Sequence, residues 1–241
     1  MIKIVAHRGW SGKAPENTLA AIELALAESA IDMIEFDVHL SKDGVPVVIH
    51  DHTLERTTNG KGRVNQHTFD ELRQLDAGSW FAPEFKGETI PSLEEVLKLA
   101  KGRCKLAVEL KTKANNYEGI EQKVIQKVHQ YGMGDQVVLS SFDHDSMKQA
   151  NEVDSSIATS LIFFGKPTLI WEQLQYTGAI SFSINHSFSS PAFINEMLDK
   201  GIDVGIWTVD DPETLQKIVL AHPNVRITTN HPDRLLTVIK K

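Results

Sequence analysis

The chain has 241 residues, 41% hydrophobic and 24% charged, with a net charge of −7. That length fits one large α/β barrel or two small domains, and the composition is that of an ordinary globular protein. The 25 basic residues form no long Lys/Arg run, which argues against a nucleic-acid partner; the lone Cys104 excludes an intramolecular disulfide, and no apolar run is long enough for a membrane anchor. With no secretory signal pattern before His7 either, the expected location is cytoplasmic.

Ile2 to Ala6 is a short, β-branched apolar run that predicts a buried strand ending at His7-Arg8-Gly9. Leu19 to Glu28 has the alanine content and spacing of an amphipathic helix. Met33 to His52 then reads as two strands around a two-residue turn at Asp43-Gly44, a register that sets Asp37 opposite His50. Alternation puts Glu35, Asp37 and His39 on one face and Ile34, Phe36 and Val38 on the other. Glu35, Asp37 and His50 therefore share a surface. Adjacent carboxylates on a strand repel unless positive charge separates them, and a hard divalent cation meets that need; the plain alternative is a solvated polar face.

Residues 53–90 lack a clear strand pattern and are too long for a simple connection, so they are expected to form a small insertion above or beside the site. Ser92 and Glu95 make a capping box that opens the next helix. From Lys105 the chain alternates: strands at 105–110, 137–140, 157–163, 179–184, 203–207 and 225–229, with helical segments between and after them. Setting aside the returning arm of the hairpin, the repeat is that of a (β/α)8 TIM barrel, with residues 1–241 as a single domain. An open doubly wound sheet fits less well, since no Gly-x-Gly-x-x-Gly follows the first strand.

Barrel enzymes carry reactive groups at the carboxyl ends of their strands. Here those ends hold His7-Arg8, Glu35-x-Asp37, Glu109-x-Lys111, Ser140-Ser141-Phe142, Trp207-Thr208 and Thr228-Thr229-Asn230. A third carboxylate, Glu109, would complete an oxygen cage for one Ca²⁺ or Mg²⁺, and Arg8 and Lys111 beside it suit a phosphate. His7 and His50, from opposite sides, suit an acid–base pair.

His7-Arg8-Gly9, Pro15-Glu16-Asn17-Thr18, Glu35-x-Asp37, Asp43-Gly44, His50-Asp51, Pro91-Ser92-Leu93, Glu109-x-Lys111, Ser141-Phe142 and Trp207-Thr208 together resemble the glycerophosphodiester phosphodiesterase family, of the bacterial cytoplasmic type. The resemblance implies a (β/α)8 barrel with an insertion after the second catalytic histidine. It implies His7 and His50 as catalytic pair, Glu35, Asp37 and Glu109 as metal ligands, Arg8 and Lys111 as phosphate ligands, and Phe142 and Trp207 as walls for the alcohol or glycerol. The implied substrate is a small glycerophosphodiester, cleaved to glycerol 3-phosphate and an alcohol. One departure stands out: the family usually ends its last strand in Thr-Asp, where this chain has Thr229-Asn230. Two other readings stay open: a zinc-dependent barrel hydrolase using His50-Asp51-His52, and an inactive barrel that only binds phosphorylated ligands.

Overall fold

The computed structural model describes residues 1–113 and 116–240. Its strands are β1 (Lys3–His7), β2 (Met33–Leu40), β3 (Pro46–Val48), β4 (Lys105–Leu110), β5 (Val137–Ser141), β6 (Ala158–Phe163), β7 (Ser181–Asn185), β8 (Asp203–Trp207) and β9 (Arg226–Thr229). The sheet runs β1-β9-β8-β7-β6-β5-β4-β2-β3, and the further pairing of β1 with β2 closes it. All neighbours are parallel except the β2–β3 hairpin. This is the expected (β/α)8 barrel.

Helices cover the barrel because each presents an apolar stripe to the strands it connects. In α3 (Leu93–Ala100), Leu93, Val96, Leu97 and Ala100 are buried, and Ser92 caps the first turn reciprocally with Glu95. On β2, Ile34, Phe36 and Val38 are fully buried within this outer core. Their alternation leaves Glu35, Asp37 and His39 on the other face.

The hairpin register differs by one residue from the sequence expectation. Val38 pairs with Val48 and His39 with Val47, so Asp37 faces Ile49, whose N–H donates to the Asp37 carbonyl (3.1 Å), and not His50. The cause is the turn. Asp43 lacks the positive φ that a two-residue turn demands; Gly44 alone supplies it (φ +79°), and Ser41 N–H bonds to the Val45 carbonyl (3.0 Å) around a three-residue loop. His50 still reaches the site because β3 ends at Val48 and the chain then leaves the ladder.

Residues 53–90 hold one short helix, α2 (Phe69–Leu72), two single 3₁₀ turns and a buried cluster in which Leu54, Val64, Leu72, Ala77 and Ile90 pack with Val47 and Ile49 of the hairpin. Arg56 from this stretch reaches back to Asp51 and Glu16.

Candidate active site

Strand register places the polar groups in two tiers. His7 lies beside Glu35 across β1 and β2; Asp37 lies beside Glu109 across β2 and β4, and Glu109 beside Ser140. The cleft above them is lined by His7, Arg8, Glu35, His50, Glu109 and Lys111, with Phe142 and Trp207 on the far wall. It opens at the carboxyl ends of the strands, where barrel enzymes carry their chemistry.

The loop after β1 is built to deliver Arg8. Arg8 (φ 55°) and Gly9 (φ 77°) are both left-handed, a conformation that costs a non-glycine residue on the order of 1 kcal/mol. Gly9 has no alternative, since a Cβ there would lie 2.6 Å from the backbone of Ala21. The Arg8 N–H donates to Glu35 Oε2 (3.0 Å), its guanidinium donates to Glu16 (2.8 Å), and its Nε lies 3.4 Å from Asp37 Oδ2. Asn17 secures the same loop: its amide donates to Asp37 Oδ2 (2.8 Å) and its carbonyl oxygen accepts from Asp37 N–H (3.2 Å). Thr18, not Asn17, caps the helix that follows, α1 (Leu19–Leu26).

Glu35, Asp37 and Glu109 each bring a carboxylate oxygen within 4.8 Å of the other two, the sole such His/Cys/Asp/Glu grouping among the described residues. Burial pushes Glu109 up to about 7, with Asp37 adding to the effect and Lys111 opposing it. Burial likewise holds Glu35 well above the usual carboxylate range, and the charges of Asp37 and Glu109 push it further. Asp37 goes the other way: burial alone would raise it, but Lys111 and Arg8 outweigh that and hold it down at about 2. Its Oδ1 is buried without a hydrogen-bond partner among the described residues, 3.5 Å from Lys111 Nζ, while Lys111 donates to Glu109 (2.7 Å).

These observations fit a bound divalent cation. Three acids face only two basic side chains, burial holds two of the acids above the usual carboxylate range, and one buried oxygen lacks a donor. A hard cation that takes oxygen ligands answers all three conditions.

Both histidines line the cleft beside the acids. His7 Nε2 is 3.7 Å from Glu35 Oε2, and its Nδ1 meets Asn230 Oδ1 at 2.7 Å. Burial, then the charge of Arg8, lowers His7 to about 4. His50 Nδ1 donates to Asp51 (2.6 Å), and Asp51 accepts in turn from Arg56 Nε (2.7 Å). His52 takes no part in this group. It meets His39 edge-on and stacks on Tyr117 instead, so His50, Asp51 and His52 do not converge as a zinc set. His39 is internal: its Nε2 donates to the His50 carbonyl (3.0 Å) and its Nδ1 accepts from the Tyr117 hydroxyl (2.8 Å). Ser141 is fully buried, donates to the Leu110 carbonyl and accepts from Asp143 N–H, which gives it a loop-holding place and not a nucleophile's.

Phe142 and Trp207 meet edge to face at 5.5 Å and form the apolar wall; Phe164 extends it, 6.2 Å from Trp207. Sequence reading gave no role to Arg56 or Asp210, and met Asp51 only as part of a motif and of the zinc alternative, yet the structure brings all three in. Arg56 ties the stretch 53–90 to Glu16, Asp51 orients His50, and Asp210 stands behind Asn230. Adjacency to His50 was a usable signal for Asp51. Asp210 lies on a loop just beyond Trp207-Thr208, and only its position in space marks it.

A closed parallel barrel with acids, imidazoles and cations gathered at the carboxyl ends of its strands is a (β/α)8-barrel enzyme. Residues 7–234 match the glycerophosphoryl diester phosphodiesterase family. A glycerophosphodiester phosphodiesterase of Caldanaerobacter subterraneus is 35% identical over 99% of this chain and 98% of its own length. The structure of an Oleispira antarctica phosphodiesterase in complex with the product sn-glycerol-3-phosphate superimposes with a TM-score of 0.94 at 31% identity, covering 99% of this chain and 97% of that one. The glycerophosphodiester phosphodiesterase of Agrobacterium tumefaciens gives a TM-score of 0.83 at 31% identity over 98% of this chain and all of that one. The chain belongs to the glycerophosphoryl diester phosphodiesterase family and is an enzyme of that class.

Proposed function

We propose that this enzyme hydrolyses small glycerophosphodiesters to glycerol 3-phosphate and an alcohol, with one divalent cation held by Glu35, Asp37 and Glu109 and with His7 and His50 as the acid–base pair. The observation that carries the reading is one cleft in which two imidazoles and a buried carboxylate triad come together. The product bound by the Oleispira enzyme supports the choice of substrate.

Arg8 and Lys111 hold the phosphate oxygens. Their present partners are the acids themselves, so they are already oriented into the cleft before substrate arrives. When bound, Ca²⁺ or Mg²⁺ neutralises phosphate charge and polarises the phosphorus–oxygen bonds. One imidazole takes the proton of the attacking oxygen while the other gives a proton to the departing alkoxide, each through its Nε2. Phe142 and Trp207 exclude water from one side of the cleft and pack against the glycerol or the alcohol. The stretch 53–90 is an insertion in a single barrel domain, and through Arg56 it steadies both Glu16 and Asp51. Among the described residues no helix is long and apolar enough to cross a membrane, and a cytoplasmic setting suits the unpaired Cys104.

The test is a coupled assay for glycerol 3-phosphate, run on glycerophosphocholine, glycerophosphoethanolamine and glycerophosphoglycerol with Ca²⁺, Mg²⁺, Zn²⁺ or EDTA. Release that needs Ca²⁺ or Mg²⁺ and stops in EDTA is the expected result. Binding without release under any metal would favour the inactive barrel, and activity with Zn²⁺ alone the zinc hydrolase.

A further inference from the structure

The side chain behind His7 is an amide, and an amide presents two chemically opposite ends. Which end faces the imidazole decides which ring nitrogen carries the proton. Here the neighbours of Asn230 settle the matter. Asp210 accepts from three donors: Thr229 Oγ1 (2.9 Å) and Asn230 N–H (2.8 Å) on Oδ1, and Asn230 Nδ2 (2.6 Å) on Oδ2. A carboxylate so placed can only be an acceptor, which fixes the NH₂ end of Asn230 toward it. Asn230 Oδ1 then faces the other way, where it accepts from Ser11 Oγ (2.7 Å) and meets His7 Nδ1 (2.7 Å). An amide oxygen offers no proton, so the hydrogen in that last contact belongs to His7.

We infer that Asp210 and Asn230 form a relay that locks His7 in its Nδ1–H tautomer, leaving Nε2 as the sole ring atom able to exchange a proton with substrate. Both are positioning residues, since neither lines the cleft. The relay also accounts for the amide at the end of the last strand. The negative charge has moved back by one side chain to Asp210, and the amide passes on its orienting effect without its charge. The inference rests on His7 being an acid–base group of the reaction, but the tautomer itself is observable without turnover.

The experiment uses the full chain with ¹⁵N-labelled histidine and reads the His7 ring nitrogens by NMR near neutral pH, alongside steady-state kinetics. The wild-type protein is expected to show a protonated Nδ1 and a bare Nε2. In Asp210→Asn one donor loses its acceptor, Asn230 is free to rotate its NH₂ toward His7, and the Nε2–H tautomer should appear. That variant should lose kcat by about 10- to 100-fold with KM changed less than about threefold. Asn230→Asp still accepts from Nδ1–H and should keep the wild-type tautomer, but it sets an acceptor against Asp210 where the NH₂ donated and should lower kcat as well. An Nε2–H tautomer in the wild-type protein overturns the inference without any variant. So does an Asp210→Asn protein with unchanged tautomer and kcat. A lock confirmed by NMR in a protein that releases no glycerol 3-phosphate would count against the proposed function and leave the tautomer assignment standing.

Discussion

Asp37 and Glu109 are paired across neighbouring strands, yet their carboxyls are shifted in opposite directions. Asp37 has two basic side chains against it, whereas Glu109 shares one of them and is raised to about 7. A cation binds the ionised form, so its uptake must displace the proton that Glu109 takes up below about pH 7. The Glu109 contribution to metal affinity is therefore expected to hold above pH 7 and to fall by up to about tenfold per pH unit as the pH drops below about 7. Calorimetric titration with Ca²⁺ at several pH values checks this, and a flat affinity between pH 5 and 8 would contradict it. Glu109→Gln should raise the cation concentration needed for half-maximal activity; an unchanged metal titration would remove Glu109 from the cage. His7→Ala and His50→Ala should each lower kcat by about 10²–10⁴-fold while Ca²⁺ still binds. Wild-type-like turnover in either would refute the acid–base assignment.

Among the elements, the β1–α1 loop does most to build the site. It combines left-handed backbone at Arg8, Gly9 and Asn17 with side-chain bonds from Arg8 and Asn17 to Asp37. Gly9 and Gly201 have the same φ of +77°, but an added Cβ would collide with Ala21 at Gly9 and meet nothing at Gly201. Gly9→Ala should therefore cost clearly more than Gly201→Ala, which bears only the left-handed penalty of about 1–2 kcal/mol. Gly9→Ala should also lower kcat by displacing Arg8. Denaturant melts and kinetics on the two variants make the comparison, and equal stability losses would mean the loop relaxes around the methyl group. At this scale the hairpin shows where sequence reading fell short. Asp43-Gly44 marked the turn correctly, but loop length sets the register, and that depended on whether Asp43 would adopt positive φ. Its side chain instead accepts from Ser41 Oγ (2.6 Å) and from Phe69 N–H (2.9 Å), a residue far along the chain.

At the scale of the whole molecule, two imidazoles are enclosed in neutral form. Burial, the largest cause in each case, lowers His7 to about 4 and His39 to about 3. The unfolded chain takes up protons on both below about pH 6.5, while the folded one does not. The part of the metal-free protein's stability that depends on these two histidines should thus be complete above pH 6.5. It should fall below that, by up to about 1.4 kcal/mol per pH unit for each histidine, until the folded groups themselves titrate; the raised Glu35 and Glu109 oppose that loss as the pH falls. Urea melts in EDTA between pH 7.5 and 4.5 measure the net slope, and His39→Gln should remove the part that His39 contributes. A slope unaltered by that substitution would place the proton uptake elsewhere. Added Ca²⁺ should raise the melting temperature with concentration, by mass action on the folded state.

Much of this protein was legible in the residues themselves, because apolar periodicity and turn chemistry are local. The eightfold alternation, the capping box at Ser92 and Glu95, and the polar face of β2 all follow from spacing along the chain. So does the gathering of Glu35, Asp37, Glu109, His7 and His50 at strand ends, once a closed barrel makes those ends neighbours. What tertiary structure alone decided is everything that depends on which distant groups share a small buried volume. Lys111 and Arg8 hold Asp37 down while burial raises Glu109, Arg56 crosses from the stretch 53–90 to Glu16, and Asp210 orients Asn230 against His7. Coulombic and hydrogen-bond energies vary with distances of ångströms, and spacing along a chain does not contain those distances.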